Sequence, residues 1–241
     1  MERRDFMEMK HKQKHISLKC SNQGFTMIEL MIAMVVSLLA LAAIYSTFLA
    51  QHRSYQVQRE TSDMQQNIRV AMYYMQREIR MAGSDPFKAG PFGITAANAA
   101  SISLTEDVRG NNIGDPPDGD VGDPDENITY SLTSGNLVRN TGSGDQIVAQ
   151  NIDALDFVYL DDSSPPIVLN PGRSNVAAID LNRIRTVEIT LVARTKDKLL
   201  YGTKNNNSYV NQRGTQILAP QNDNISRRRL TTLIHCRNLG L

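Results

Sequence analysis

Residues 24–51 read GFTMIE followed by LMIAMVVSLLALAAIYSTFLAQ. The second part, Leu30 to Gln51, holds no charged side chain over 22 residues and is mostly apolar, through Leu30, Ile32, Val35, Val36, Leu38, Leu39, Leu41 and Ile44. About 20 such residues carry a helix across a bilayer. A cleaved secretory signal has a shorter apolar stretch, about 7–15 residues, with a small-residue cleavage site beyond it. Here the run is longer, and Gln51-His52-Arg53 is no such site. The residues favour a retained membrane helix.

Upstream of this run the chain is basic. Residues 1–24 carry six Lys/Arg against three Asp/Glu, whereas residues 25–241 carry 20 basic and 22 acidic side chains. A basic flank ahead of an apolar segment keeps that end in the cytoplasm. Downstream, Arg53 to Ala82 contains neither Pro nor Gly. Met64, Ile68, Ala71, Met72, Met75, Ile79 and Ala82 recur at spacings of three and four, one stripe of an α-helix. Arg59, Arg69, Arg77 and Arg80 fall mainly elsewhere around it. Gly83 and Pro86 supply a stop. The predicted element, Phe25 to about Ala82, is a rod on the order of 85 Å at about 1.5 Å per residue. No proline kinks it.

The amphipathic half needs a partner, and residues 101–241 read as β. Ile128–Leu132 and Asn136–Arg139 flank Ser134-Gly135, a hairpin signal. Leu155, Phe157 and Tyr159 alternate with Asp156 and Val158, and Val187, Ile189 and Leu191 with Glu188 and Thr190. A last strand is expected within Arg229–Cys236, and Pro/Gly/Asn-rich loops at 161–175 and 202–214. The fold class is α+β: one long helix whose C-terminal half packs on an antiparallel β-sheet.

The segment Gly24-Phe25-Thr26-Met27-Ile28-Glu29, at the junction of basic leader and apolar run, resembles the type IV prepilin signature. The resemblance continues through Tyr55 and Arg77-Glu78-Ile79-Arg80-Met81-Ala82-Gly83, which is similar to PilW-type minor pilins. Ile152-Asp153-Ala154-Leu155, Ile184-Arg185-Thr186-Val187-Glu188-Ile189 and Arg237-Asn238 are similar to PilW-like chains and to J-type secretion pseudopilins. The resemblance implies a type IV pilin-like fold and cleavage after Gly24 by a prepilin peptidase. It also implies methylation of the new Phe25 amine, and a role for Glu29 in pairing with the amine of a neighbouring subunit. Residues 1–24 would be the leader, 25–83 the spine helix, and 84–241 a periplasmic β-rich domain. The subunit would sit in the inner membrane and then enter a filament. Its partners would be major and minor pilins and the inner-membrane assembly platform. A minor pseudopilin of a type II secretion system is the near alternative, and a membrane-anchored binding domain the distant one.

Other signals are weaker. Asp115, Asp118, Asp120, Asp123, Asp125 and Glu126 form an acidic stretch. Carboxylates at such spacing can ligate Ca²⁺, with Asp118, Asp120, Asp123 and Asp125 as the candidate ligands, but an EF-hand register is lacking. A solvated loop is the favoured reading. Arg227-Arg228-Arg229 reads as a solvated strand edge. Cleavage at Gly24 would remove Cys20 and leave Cys236 without a disulfide partner, a buried structural thiol. The four His residues are scattered, no Gly-rich phosphate loop follows a strand, and no Ser/His/Asp grouping stands out. Neither an enzyme nor a resident cofactor is expected. A formal net charge of +1 and the absence of Trp predict no bulk attraction to nucleic acid and no base-stacking platform.

Overall fold

The computed structural model describes residues 24–112, 114–198 and 204–240. The basic leader up to residue 23, with Cys20, lies outside them. Two compact units divide the chain, one ending at His52 and the other beginning at Arg53.

A single helix, α1, spans Met27–Met81, within two residues of its predicted ends. In the first unit every residue from Gly24 to Phe48 is exposed. The helix is long and apolar enough to cross a membrane, and none of its most apolar window is buried. Among the described residues, nothing buries this stretch.

In the second unit, Met64, Ile68, Ala71, Met72, Met75, Ile79 and Ala82 are all buried, the stripe that the spacing predicted. Burying each of the larger members contributes roughly 1.5–3 kcal/mol. The helix ends where Gly83 turns to φ +80°, a conformation that costs glycine nothing. The Gly83 amide donates to Thr105 O at 3.0 Å and Ser84 N–H to Met81 O at 2.9 Å.

Two antiparallel sheets complete the core. The larger follows chain order: β1 (Ile94–Ala97), β2 (Ser101–Thr105), β3 (Asn127–Thr133), β4 (Asn136–Asn140) and β5 (Asp145–Ala149). The β3–β4 hairpin turns on Ser134 and Gly135, both with positive φ, and pairs Thr133 with Asn136. That is the two-residue turn whose twist suits a hairpin. The second sheet has the order β10-β7-β6, from β6 (Ile152–Leu160), β7 (Thr186–Arg194) and β10 (Arg227–His235). Sequence reasoning began the β region at 101, and the structure adds β1 before it.

The alternation in β6 and β7 is real, but its polar face is not solvated. Leu155, Phe157, Tyr159, Val187, Ile189 and Leu191 join the helix stripe in one core. On the other face, Asp156, Glu188 and Thr190 are also buried. Asn211 and Arg213, between β8 (Tyr209–Val210) and β9 (Gln216–Leu218), reach Asp156 and Glu188. Asp156 accepts from Arg173 Nε at 2.7 Å and Asn211 Nδ2 at 2.9 Å. Arg213 forks onto Glu188 at 2.6 and 3.1 Å. Asp156 and Glu188 thus each have a cationic partner, as burial of a charge requires.

The arginine run is corrected in the same way. β10 is an edge strand, and Arg228 and Arg229 are exposed. The Arg227 side chain is only 4% exposed and bridges Asp153 and Asp223, so it is a structural ion pair. Cys236 is buried, and desolvation pushes its thiol up to about 12. That suits a packing residue and not a nucleophile.

Candidate functional site

Three places carry chemistry: the start of α1, the loop between β2 and β3, and a buried charge network against the second half of α1.

At the helix start, Thr26 and Glu29 form a reciprocal cap. Glu29 N–H donates to Thr26 Oγ1 at 3.3 Å, while Thr26 N–H and Oγ1–H donate to Glu29 Oε2 at 2.8 and 2.7 Å. This is the capping box that Thr-x-x-Glu encodes, and it satisfies helix-end amides. Phe25 is 89% exposed. Among the described residues, a Cβ added to Gly24 would meet nothing within 4 Å, and the backbone there is not left-handed. Nothing among the described residues demands glycine at position 24.

Residues 19–45 match the family model described as the prokaryotic N-terminal methylation motif.

That motif covers Gly24, Phe25, the capping box and the first turns of exposed apolar helix, and leaves the globular unit unmatched. No curated protein matches the chain. Among solved structures, the chain is similar to a type IV-like pilin from Thermus thermophilus, at 12% identity and a TM-score of 0.47, over 73% of this chain and 96% of that one.

Away from the methylation motif, loop 106–126 brings together part of the predicted acidic set. One carboxylate oxygen each of Asp118, Asp120 and Asp123 lies within 4.8 Å of the others. Asp125 does not join them: it is ion-paired with Arg139 at 2.9 Å and Arg109 at 3.3 Å. The loop is not simply solvated, since Asp107, Asp123 and Glu126 are buried. Burial and the Asp118 and Asp120 charges raise Asp123 from its ordinary value.

The charge network was not legible as a site. Glu78, on the buried stripe, accepts from Tyr130 Oη at 2.6 Å and from Arg139 Nε at 3.0 and 3.2 Å. Arg139 thereby links α1 to β4 and to Asp125. Beside it Glu106 is pushed up to about 7, first by burial and then by the Glu78 charge. An open cleft of about 830 Å³ lies here, lined among others by Tyr74, Glu78, Met81, Glu106, Arg139 and Ile147. The spacing of Glu78 from Met75 and Ala82, three and four residues, was the signal that could have placed it inside.

Proposed function

We propose that this chain is a structural pilin-like subunit and not an enzyme, cleaved after Gly24 by a prepilin peptidase, methylated on Phe25 and built into a filament. The observation that carries this reading is the methylation motif at the head of a helix whose apolar side chains are exposed from Phe25 to Phe48. A glycine that the fold does not require fits a residue kept for recognition by a processing enzyme. An exposed 22-residue uncharged run fits the bilayer first and the helices of other subunits afterwards. The basic leader fits a cytoplasmic N-terminus, an inner-membrane span and a periplasmic β-rich domain. The resemblance to PilW-type chains supports a minor pilin acting in pilus assembly or priming, with pilins and the assembly platform as partners. A minor pseudopilin of a type II secretion system is the second reading, supported by the J-type similarity of the strand segments.

Glu29 would have two tasks in turn: capping α1 in the subunit, and pairing by charge with the Phe25 amine of a neighbour. A carboxylate at the edge of an apolar span is kept where it finds a partner. Two substitutions separate these tasks. Glu29→Gln keeps a side chain able to cap but removes the charge, and Glu29→Ala removes both. Both variants are expected in the membrane and depleted from sheared filaments. Normal incorporation of Glu29→Gln would reduce Glu29 to a cap and defeat the charge pairing.

A further inference from the structure

Loop 106–126, between β2 and β3, carries more carboxylate than its cations balance. Asp118, Asp120 and Asp123 converge within 4.8 Å. Two of these are held by the loop itself: Asp118 accepts from Asn111 Nδ2 and the Asp120 amide, both at 3.2 Å, and Asp120 from the Gly122 amide at 2.7 Å. Alone, such a group is ordinary for an exposed acidic turn.

The buried members of the loop are not ordinary. Asp123 is 8% exposed, and its Oδ2 is buried with no hydrogen-bond partner among the described residues. Asp107 is 1% exposed. Its Oδ2 accepts the amide of Gly119, the residue between Asp118 and Asp120, at 3.0 Å. Its Oδ1 is likewise buried and unpartnered, and its charge acts on Asp123. A buried carboxylate oxygen without a donor loses its hydration for nothing in return. Arg109 also acts on Asp123, yet its guanidinium is committed to Pro124 O at 2.6 Å and to Asp125. Neither orphaned oxygen is therefore satisfied by a side-chain cation. A metal ion at the three converging carboxylates would give Asp123 its missing partner and offset the charge of Asp107 behind it.

We propose that loop 106–126 is a Ca²⁺ site in which Asp118, Asp120 and Asp123 ligate the ion and Asp107 backs them. Ca²⁺ accepts six to eight oxygens in flexible geometry, so loop carbonyls and water complete its shell, whereas Mg²⁺ demands a near-ideal octahedron. Asp107 holds Gly119 against the cluster and adds charge behind Asp123. Asp125 stays outside, bound to its arginines. Gly110 keeps the loop closed, since a Cβ there would sit 3.0 Å from Pro116 O and 3.4 Å from Asp118 Oδ2. The site stands independently of the filament reading.

The test is calorimetry and thermal unfolding of the full chain in detergent, with CaCl₂ against EDTA. Saturating binding is expected, with Kd on the order of 10⁻⁴–10⁻³ M as in extracellular modules. Ca²⁺ at a hundred times Kd should raise Tm by roughly 5–10 °C. Asp123→Asn should abolish binding and Asp107→Asn weaken it about 10- to 100-fold. Both should match or exceed the wild-type Tm in EDTA, which separates lost binding from misfolding. Asp125→Asn should leave Kd unchanged. A flat Ca²⁺ titration, an equal response to Mg²⁺ or matched NaCl, or Ca²⁺ binding retained in Asp123→Asn would overturn the proposal.

Discussion

Glu78 and Glu106 lie in one region and meet opposite fates. Glu78 has a tyrosine hydroxyl and the Arg139 Nε–H shared between its two oxygens, whereas Glu106 Oε2 is buried without a donor among the described residues. Burial and the Glu78 charge therefore hold the Glu106 proton in the folded chain up to about pH 7, against an ordinary value of 4.5. A folded-state value above the unfolded one means that the native state binds this proton more tightly. The stability it lends is complete below about pH 4.5 and lost as pH rises through about 7. Glu106→Gln, which stays neutral, should leave Tm near wild type at pH 5 and raise stability at pH 8 by about 1 kcal/mol or more. Thermal unfolding at the two pH values checks this, and equal shifts at both would contradict it. At this scale the sequence made the methylation motif around Gly24, Phe25 and Glu29 legible, because a motif needs only neighbours in the chain. It did not distinguish Asp125 from Asp123, because the arginines that claim Asp125 come from residues 109 and 139.

At the scale of elements, α1 was legible almost to the residue. Its buried stripe is a local periodicity, and Gly83 ends it for a local reason. Gly83 has a tertiary reason too: a Cβ there would lie 2.7 Å from Leu239 Cδ2, in a backbone with φ +80°. Gly83→Ala should cost about 1–2 kcal/mol from the left-handed conformation, roughly 2–8 °C in Tm. An unchanged Tm would show that the helix end relaxes freely. The β3–β4 hairpin was legible from Ser134-Gly135 in the same way. The burial of both faces of β6 and β7 was not. Asp156 and Glu188 look like solvent-facing residues until Asn211 and Arg213 are brought over them from 55 and 25 residues away. β8 and β9, of two and three residues, are too short to announce themselves by alternation, and they exist as that cover.

Over the whole molecule, two units carry contrasting surfaces. The second has a continuous core from helix and two sheets and pairs buried Glu78, Asp156 and Glu188 with arginines. The first exposes Phe25, Met27, Ile28, Leu30 and the apolar residues after them, a surface unsuited to water. On the proposed reading, lipid would satisfy it before assembly and neighbouring helices would satisfy it in a filament, without any change in the side chains. That exchange requires a chain that begins at Phe25, with its amine beside the apolar run. The most direct test is the N-terminal mass of the membrane-extracted protein, from cells with and without their prepilin peptidase. The expected result is a chain starting at methylated Phe25 that disappears when the peptidase is absent. A chain starting at Met1 in both would contradict the account and leave a membrane-anchored domain in its place.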